Sequence, residues 1–270
     1  MMTKKLPTYF ISHGGGPWPW LKIEMPFFDK LEASLKSIAQ EVGKPKSILM
    51  ISGHWEEENF SLMSNQLPPM LYDYGGFPEH TYHIKYPAAG SLELVQRTKE
   101  LLKEAGINVN LNATRGYDHG TFVPLFVMYP DADVPVVQLS LKKNYDPETH
   151  YQLGIALTSL REEGVLIIGS GLSYHNLRDF GRTPAARIAS KEFDNWLSDV
   201  LVNDTLEARH LKLLDWAKAP SARAAHPEED HLIPLHVIVG ASKNEKGVRI
   251  YHEDEVMGGI TVSSFRFGEV

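Results

Sequence analysis

Five histidines of this chain stand in short, turn-like contexts: Ser12-His13-Gly14, Gly53-His54-Trp55, Asp118-His119-Gly120, Tyr174-His175-Asn176 and Asp230-His231-Leu232. Imidazole is the commonest protein ligand for zinc, suits ferrous iron and exchanges a proton near neutral pH, so such a set reads as a metal site with acid–base capacity. The chain holds 12 histidines and 0 cysteines. A structural zinc knot uses thiolates at close spacing, whereas dispersed histidines gathered only by the fold leave room for an open, catalytic coordination position. The same composition excludes a thiol nucleophile and disulfide support, and no Gly-x-Ser-x-Gly elbow occurs. The run Ser12-His13-Gly14-Gly15-Gly16-Pro17 has the glycines of an anion nest, but it lacks both the GxGxxG spacing and the lysine of a phosphate loop.

The elements that must position these residues alternate. Strand-like runs rich in β-branched residues occur at Thr8–Ser12, 46–52, 134–141, 165–170 and Ile260–Phe267, and helical spacing of apolar residues occurs at 26–42, 91–105, 147–163, 185–202, 205–215 and 227–241. Runs such as Ile48-Leu49-Met50-Ile51 and Val165-Leu166-Ile167-Ile168 have no polar face, as expected of strands covered on both sides. The order predicts an α/β fold: one domain over residues 1–270, with a central mostly parallel or mixed sheet flanked by helices on both faces. Ligands in such sheets gather beyond the carboxyl ends of strands. His13, His54 and His175 fall there, while His231 is expected in the early turns of the 227–241 helix, bent nearby by Pro234.

Composition narrows the partners. With 270 residues, 43% hydrophobic, and a formal charge of −7 without a basic run, the chain has a large core and no field for binding nucleic acid. No apolar run reaches membrane-spanning length, and residues 1–7 lack the apolar stretch of a secretory signal, so the cytoplasm is the expected location. No exposed apolar stripe sets an oligomeric state. His80, His83, His150, His210, His236 and His252 lack turn context and read as exposed or helix-face residues. His226, before Pro227, either closes a helix end or lines the same cavity as His231; residues 72–78 form an aromatic, glycine-rich loop that is either a lid over a planar substrate or a packed Ω-type loop.

Taken together, Ser12-His13-Gly14, Ser52-Gly53-His54-Trp55, Gly75-Gly76-Phe77-Pro78, Asp118-His119-Gly120, His175-Asn176-Leu177 and the stretch His226 to Leu235 resemble the LigB-like class III extradiol ring-cleavage dioxygenases, in particular their DOPA 4,5-dioxygenase branch. The resemblance runs from His13 to about residue 241; Asp230 departs from it, standing where glutamate is expected. It implies that His13, His54 and His231 hold the metal, and that His175 is the acid/base residue or a fourth ligand in a zinc-loaded form. It further implies that His119 lies beside a substrate hydroxyl or bound oxygen, with His226 and Phe77 as substrate contacts. Iron(II) is the implied cofactor for turnover, with zinc as an alternative bound ion, and a catechol and O2 are the implied small-molecule partners. Three histidines also suit hydrolytic zinc, so a zinc hydrolase and a non-enzymatic metal-binding relative stand as rival readings.

Overall fold

The aliphatic, β-branched runs form the middle of one eight-stranded sheet in a computed structural model that describes residues 5–181 and 183–270. In chain order the elements are β1 (Thr8–Ser12), α1 (Asp29–Val42), β2 (Ser47–Glu57), β3 (Ser61–Met63), α2 (Leu92–Glu104), β4 (Asn110–Asn112), α3 (His119–Met128), β5 (Val136–Lys142), α4 (Pro147–Ala156), β6 (Val165–Gly171), α5 (Pro184–Val202), α6 (Leu206–Leu214), α7 (Ala222–Ala225), α8 (Ile233–Ser242), β7 (Gly247–Val256) and β8 (Ile260–Phe267). The strands lie in the order β4-β3-β5-β2-β6-β1-β8-β7. The inner four, β5, β2, β6 and β1, run parallel, while β8 and β7 add antiparallel to one side and β3 pairs antiparallel with β5 on the other, so the sheet is mixed.

Side chains alternate across a strand, so Gly169 and Ser170 face opposite sides of β6. A Cβ on Gly169 would stand 2.6 Å from Ile238 Cγ1 of α8, whereas Ser170 Oγ bonds the Gly120 carbonyl of α3. Helices therefore cover both faces, with α4 packed on α8 and α1 on α3. Ile48 to Ile51 and Leu166 to Ile168 are all fully buried, which accounts for their lack of a polar alternation. No helix among the described residues is long and apolar enough to cross a membrane.

Several boundaries differ from expectation for local reasons. Residues 26–28 form a 3₁₀ turn ahead of α1, and the 147–163 helix divides into α4 and a 3₁₀ segment, Thr158–Glu163, closed by Gly164 in the left-handed region. The expected 227–241 helix starts only at Ile233, so His231 precedes it; Pro234 occupies its first turn, where a missing N–H is harmless, and does not bend it. His150 and His236, read as exposed or helix-face residues, do lie on helices, α4 and α8, but are buried there. His150 donates from Nδ1 to the Asp146 carbonyl at 2.7 Å and accepts the Lys142 amide at Nε2 at 3.1 Å, a pairing that only the neutral ring can make.

Burial pushes the His150 pKa down to about 4, against the helping bond to Asp146. Unfolded, the ring takes a proton near pH 6.5, so the folded state loses stability as pH falls from about 6.5 through 4. Chemical denaturation of the metal-free protein at pH 7.5 and pH 5 is expected to show a smaller acid loss in His150→Gln than in the wild type, by about 2 kcal/mol.

Candidate metal centre

The adjacency of β2, β6 and β1 brings their carboxyl ends to one rim. His13 follows β1 directly, its amide bonded to the Gly171 carbonyl of β6 at 3.3 Å. His54 lies inside β2, in the stretch between Ile51 and Glu56 where the pairing with β5 shifts register, and not beyond the strand end. The third histidine arrives on the 230–231 segment, which lies against the backbone of these strands. A Cβ on Gly171 would stand 2.1 Å from the His231 carbonyl oxygen and one on Gly53 would stand 2.9 Å from that of Asp230. Only glycine permits so close an approach.

His54 Nε2 is 3.3 Å from His13 Nε2 and 3.1 Å from His231 Nε2. Two nitrogens bound to one ion at ~2.1 Å stand roughly 3.0–3.4 Å apart at octahedral to tetrahedral angles, so the spacing fits a shared divalent cation. Tautomer chemistry points the same way. His231 Nδ1 lies 2.7 Å from Asp230 Oδ2, and His54 Nδ1 lies 3.4 Å from Asp73 Oδ2. A carboxylate only accepts, so His231 Nδ1 carries the proton and its Nε2 is left with a bare lone pair facing His54, whose own Nδ1 lies near the Asp73 carboxylate but beyond normal hydrogen-bond length. The shorter stem of Asp230, compared with glutamate, reaches its histidine without difficulty.

Electrostatics hold these rings neutral. Burial, reinforced by His231, His119 and His175, places the His13 pKa well below the usual histidine range; burial and then His119 and His231 do the same for His54. His231 is pushed down to about 4 by burial and by His175, with Asp230 opposing. Burial alone would raise the Asp230 carboxyl, but the imidazoles of His175 and His231 beside it outweigh that and hold it far below the ordinary carboxylate range. Neutral imidazoles beside ionised carboxylates are the protonation states that metal binding requires.

His119 is not in a free turn: it opens α3, with Asp118 as the N-cap. Its ring centroid is 4.0 Å from that of His54, and its Nδ1 donates to Asp73 Oδ1 at 2.8 Å. Fully buried Asp118 organises this side of the site. It accepts from Ser52 Oγ at 2.8 Å, the Thr121 amide at 3.0 Å, Gln138 Nε2 at 2.7 Å and an Arg115 amino group at 2.7 Å, and that same nitrogen bonds the His54 carbonyl at 3.1 Å. Within α3, Pro124 has no N–H for the Gly120 carbonyl four residues earlier; the Ser170 hydroxyl of β6 bonds that carbonyl instead. Asp73, Arg115 and Gln138 were not picked out from sequence. The phrase Tyr72-Asp73-Tyr74 offered a carboxylate in an aromatic loop, but nothing local tied it to His119, 46 residues away.

His175 lies four residues past β6, its amide bonded to the Ala225 carbonyl at 2.9 Å. Its ring stacks on His231, centroids 3.3 Å apart and planes 20° apart, with Nδ1 3.6 Å from Asp230 Oδ1. His226 is fully buried: Nε2 donates to the Ser173 carbonyl at 3.0 Å and the ring packs edge-on against Phe193 and Trp216. It thus supports the loop carrying His175 from below, and no part of it is exposed to a substrate. Phe77 lies over Gly16, three residues past His13, where an added Cβ would come within 2.5 Å of its ring. The 72–78 loop is braced on the segment that follows it, Tyr72 and Tyr74 hydroxyls bonding the Ile84 and Thr81 carbonyls at 2.6 Å each.

Residues 9–268 match the family model described as the catalytic LigB subunit of aromatic ring-opening dioxygenase. A Beta vulgaris protein named 4,5-DOPA dioxygenase extradiol is 39% identical over 264 residues, covering 96% of each chain. An Escherichia coli K12 protein of the same name is 30% identical, covering 99% of this chain and 97% of its own. In structure, the chain is similar to a crystallised uncharacterized Escherichia coli K12 protein at a TM-score of 0.76 and 27% identity, over 97% of this chain and all of that one.

Replacing Asp118 by Asn puts an amide nitrogen where one carboxylate oxygen accepts two donors, so that either Arg115 and Gln138, or Ser52 and the Thr121 amide, both face a donor in the interior. The expected loss is about 3 kcal/mol of stability, read by urea denaturation. Metal affinity should fall with it, because the His54 backbone shares the same guanidinium.

Proposed function

As a member of the family of the catalytic LigB subunit of aromatic ring-opening dioxygenases, this chain is an oxidoreductase that incorporates dioxygen, and we propose that it cleaves a DOPA-like catechol at the His13–His54–His231 centre. The observation that carries the reading is the position of His54 Nε2 at 3.3 Å from that of His13 and 3.1 Å from that of His231, beside the stacked ring of His175. Iron(II) held by these three histidines would supply the redox chemistry that dioxygen needs; zinc fits the same nitrogens and could hold the diol, but has no accessible change of oxidation state. Both oxygen atoms enter the product, one ring C–C bond beside the hydroxyl-bearing carbons breaks, and the ring opens to a semialdehyde acid.

The chain's own residues bind, orient and move protons. His175, with its Nδ1 turned toward Asp230, presents its other nitrogen to take a hydroxyl proton from the catechol and return it later in the reaction. His119, with its Nδ1–H committed to Asp73, keeps Nε2 as an acceptor for a substrate hydroxyl. Phe77, at the glycine loop beside His13, faces the planar ring. A DOPA-like substrate is proposed from the names of the curated relatives, and a cytoplasmic setting from the need to keep iron reduced.

The test is an oxygen-electrode assay of protein loaded anaerobically with iron(II), over DOPA and simple catechols. Oxygen uptake with a coloured ring-opened product is expected; metal binding without oxygen uptake, or ester hydrolysis without air, would overturn the proposal. His175→Ala should keep catechol binding and lose on the order of a hundred- to ten-thousandfold in turnover. Phe77→Ala should raise KM more than it lowers kcat.

A further inference from the structure

One carboxylate joins the aromatic loop to the metal centre. Asp73 Oδ1 accepts from both the backbone amide and the Nδ1–H of His119, at 3.0 and 2.8 Å, and its other oxygen lies 3.4 Å from His54 Nδ1. The neighbours of Asp73 in the chain reach the same site: the Tyr74 ring centroid is 5.7 Å from that of His119, and Phe77 covers Gly16 beside His13. The segment is otherwise held largely by side chains, through the Tyr72 and Tyr74 hydroxyls. A carboxylate beside the second nitrogen of a ligand histidine biases that ring's orientation and tautomer, and binding free energies are reciprocal: what the loop does for the metal, the metal does for the loop.

We propose that Asp73 is a positioning residue through which metal occupancy and ordering of the 72–77 loop are coupled, so that the substrate-facing wall forms fully only when the ion is bound. The proposal rests on the metal-centre reading. With the carboxylate in place, a bound ion fixes His54, His54 and His119 fix Asp73, and Asp73 fixes the aromatic loop. Without it, the three nitrogens can still bind an ion, but the loop no longer senses it.

The experiment is hydrogen–deuterium exchange of the metal-free protein with and without zinc(II), with the zinc Kd measured by competition against a chromophoric chelator, for wild type, Asp73→Ala and Asp73→Asn. In the wild type, zinc should slow exchange in both the 70–78 and 228–232 segments. In Asp73→Ala, zinc affinity should fall about 10–100-fold, and saturating zinc should still protect 228–232 while leaving 70–78 unprotected. Asp73→Asn, which keeps the shape and one acceptor oxygen, should fall between the two and carries the test if the alanine variant does not fold. Equal zinc protection of 70–78 in wild type and variants, or an unchanged Kd, overturns the proposal; a wild type that binds zinc without protecting 70–78 overturns it while sparing the metal centre. A wild type that binds no zinc overturns both.

Discussion

Imidazole nitrogens gathered about 3 Å apart at the rim of the sheet cannot all carry a proton or a charge without repelling one another. The rim of this sheet is built around that situation. The Nδ1 proton of His231 is turned outward to Asp230, which makes its inner nitrogen an acceptor, and the Asp73 carboxylate lies on the outer side of His54; this leaves a cation as the natural occupant between the rings. His13, the third ring, reaches the same point from the end of β1 and has no such carboxylate partner among the described residues; its Nδ1 is buried and unpaired. Much of the surrounding architecture follows from the need to keep three desolvated, unprotonated imidazoles in register.

That need is met by three packed layers. The sheet supplies β1, β2 and β6 as neighbours; α3 comes down on one face with His119 at its amino end; the segment before α8 crosses the strand ends on the other with His231. Asp118 ties the first face together by collecting donors from β2, β5 and the α3 backbone into one carboxylate. The second face is fastened by backbone contact, the Leu172 amide bonding the His231 carbonyl at 3.1 Å above two glycines. One side is thus held by charge-assisted hydrogen bonds and the other by close approach of the chain itself.

The parts legible in the sequence were those with a local signature. Continuous apolar strands, amphipathic helices such as α1 and α2, and histidines set beside glycine or a polar cap all advertise themselves within a few residues. The clustering of His13, His54, His231, His175 and His119 was foreseeable from such signals together with the order of the motifs. Elements without contrast were not: α3 is apolar all round and contains Pro124, so it shows no stripe; β3 and β4 are three residues each; and β7 is a charged edge strand. Asp73, Arg115 and Gln138 matter through partners far away in sequence, and His226 shows the converse, since its proximity to His231 in the chain does not bring it to the surface of the site.

A proline in the middle of α3 has a mechanical meaning. Because the Gly120 carbonyl is bonded to the Ser170 hydroxyl and not to a later turn of its own helix, the first turn of α3 is fastened to a neighbouring strand as much as to itself. Fraying of that turn then costs a bond to β6 as well as those within the helix. The amino end of α3, which carries His119, and the end of β6, four residues before His175, are accordingly tied directly to one another across the rim.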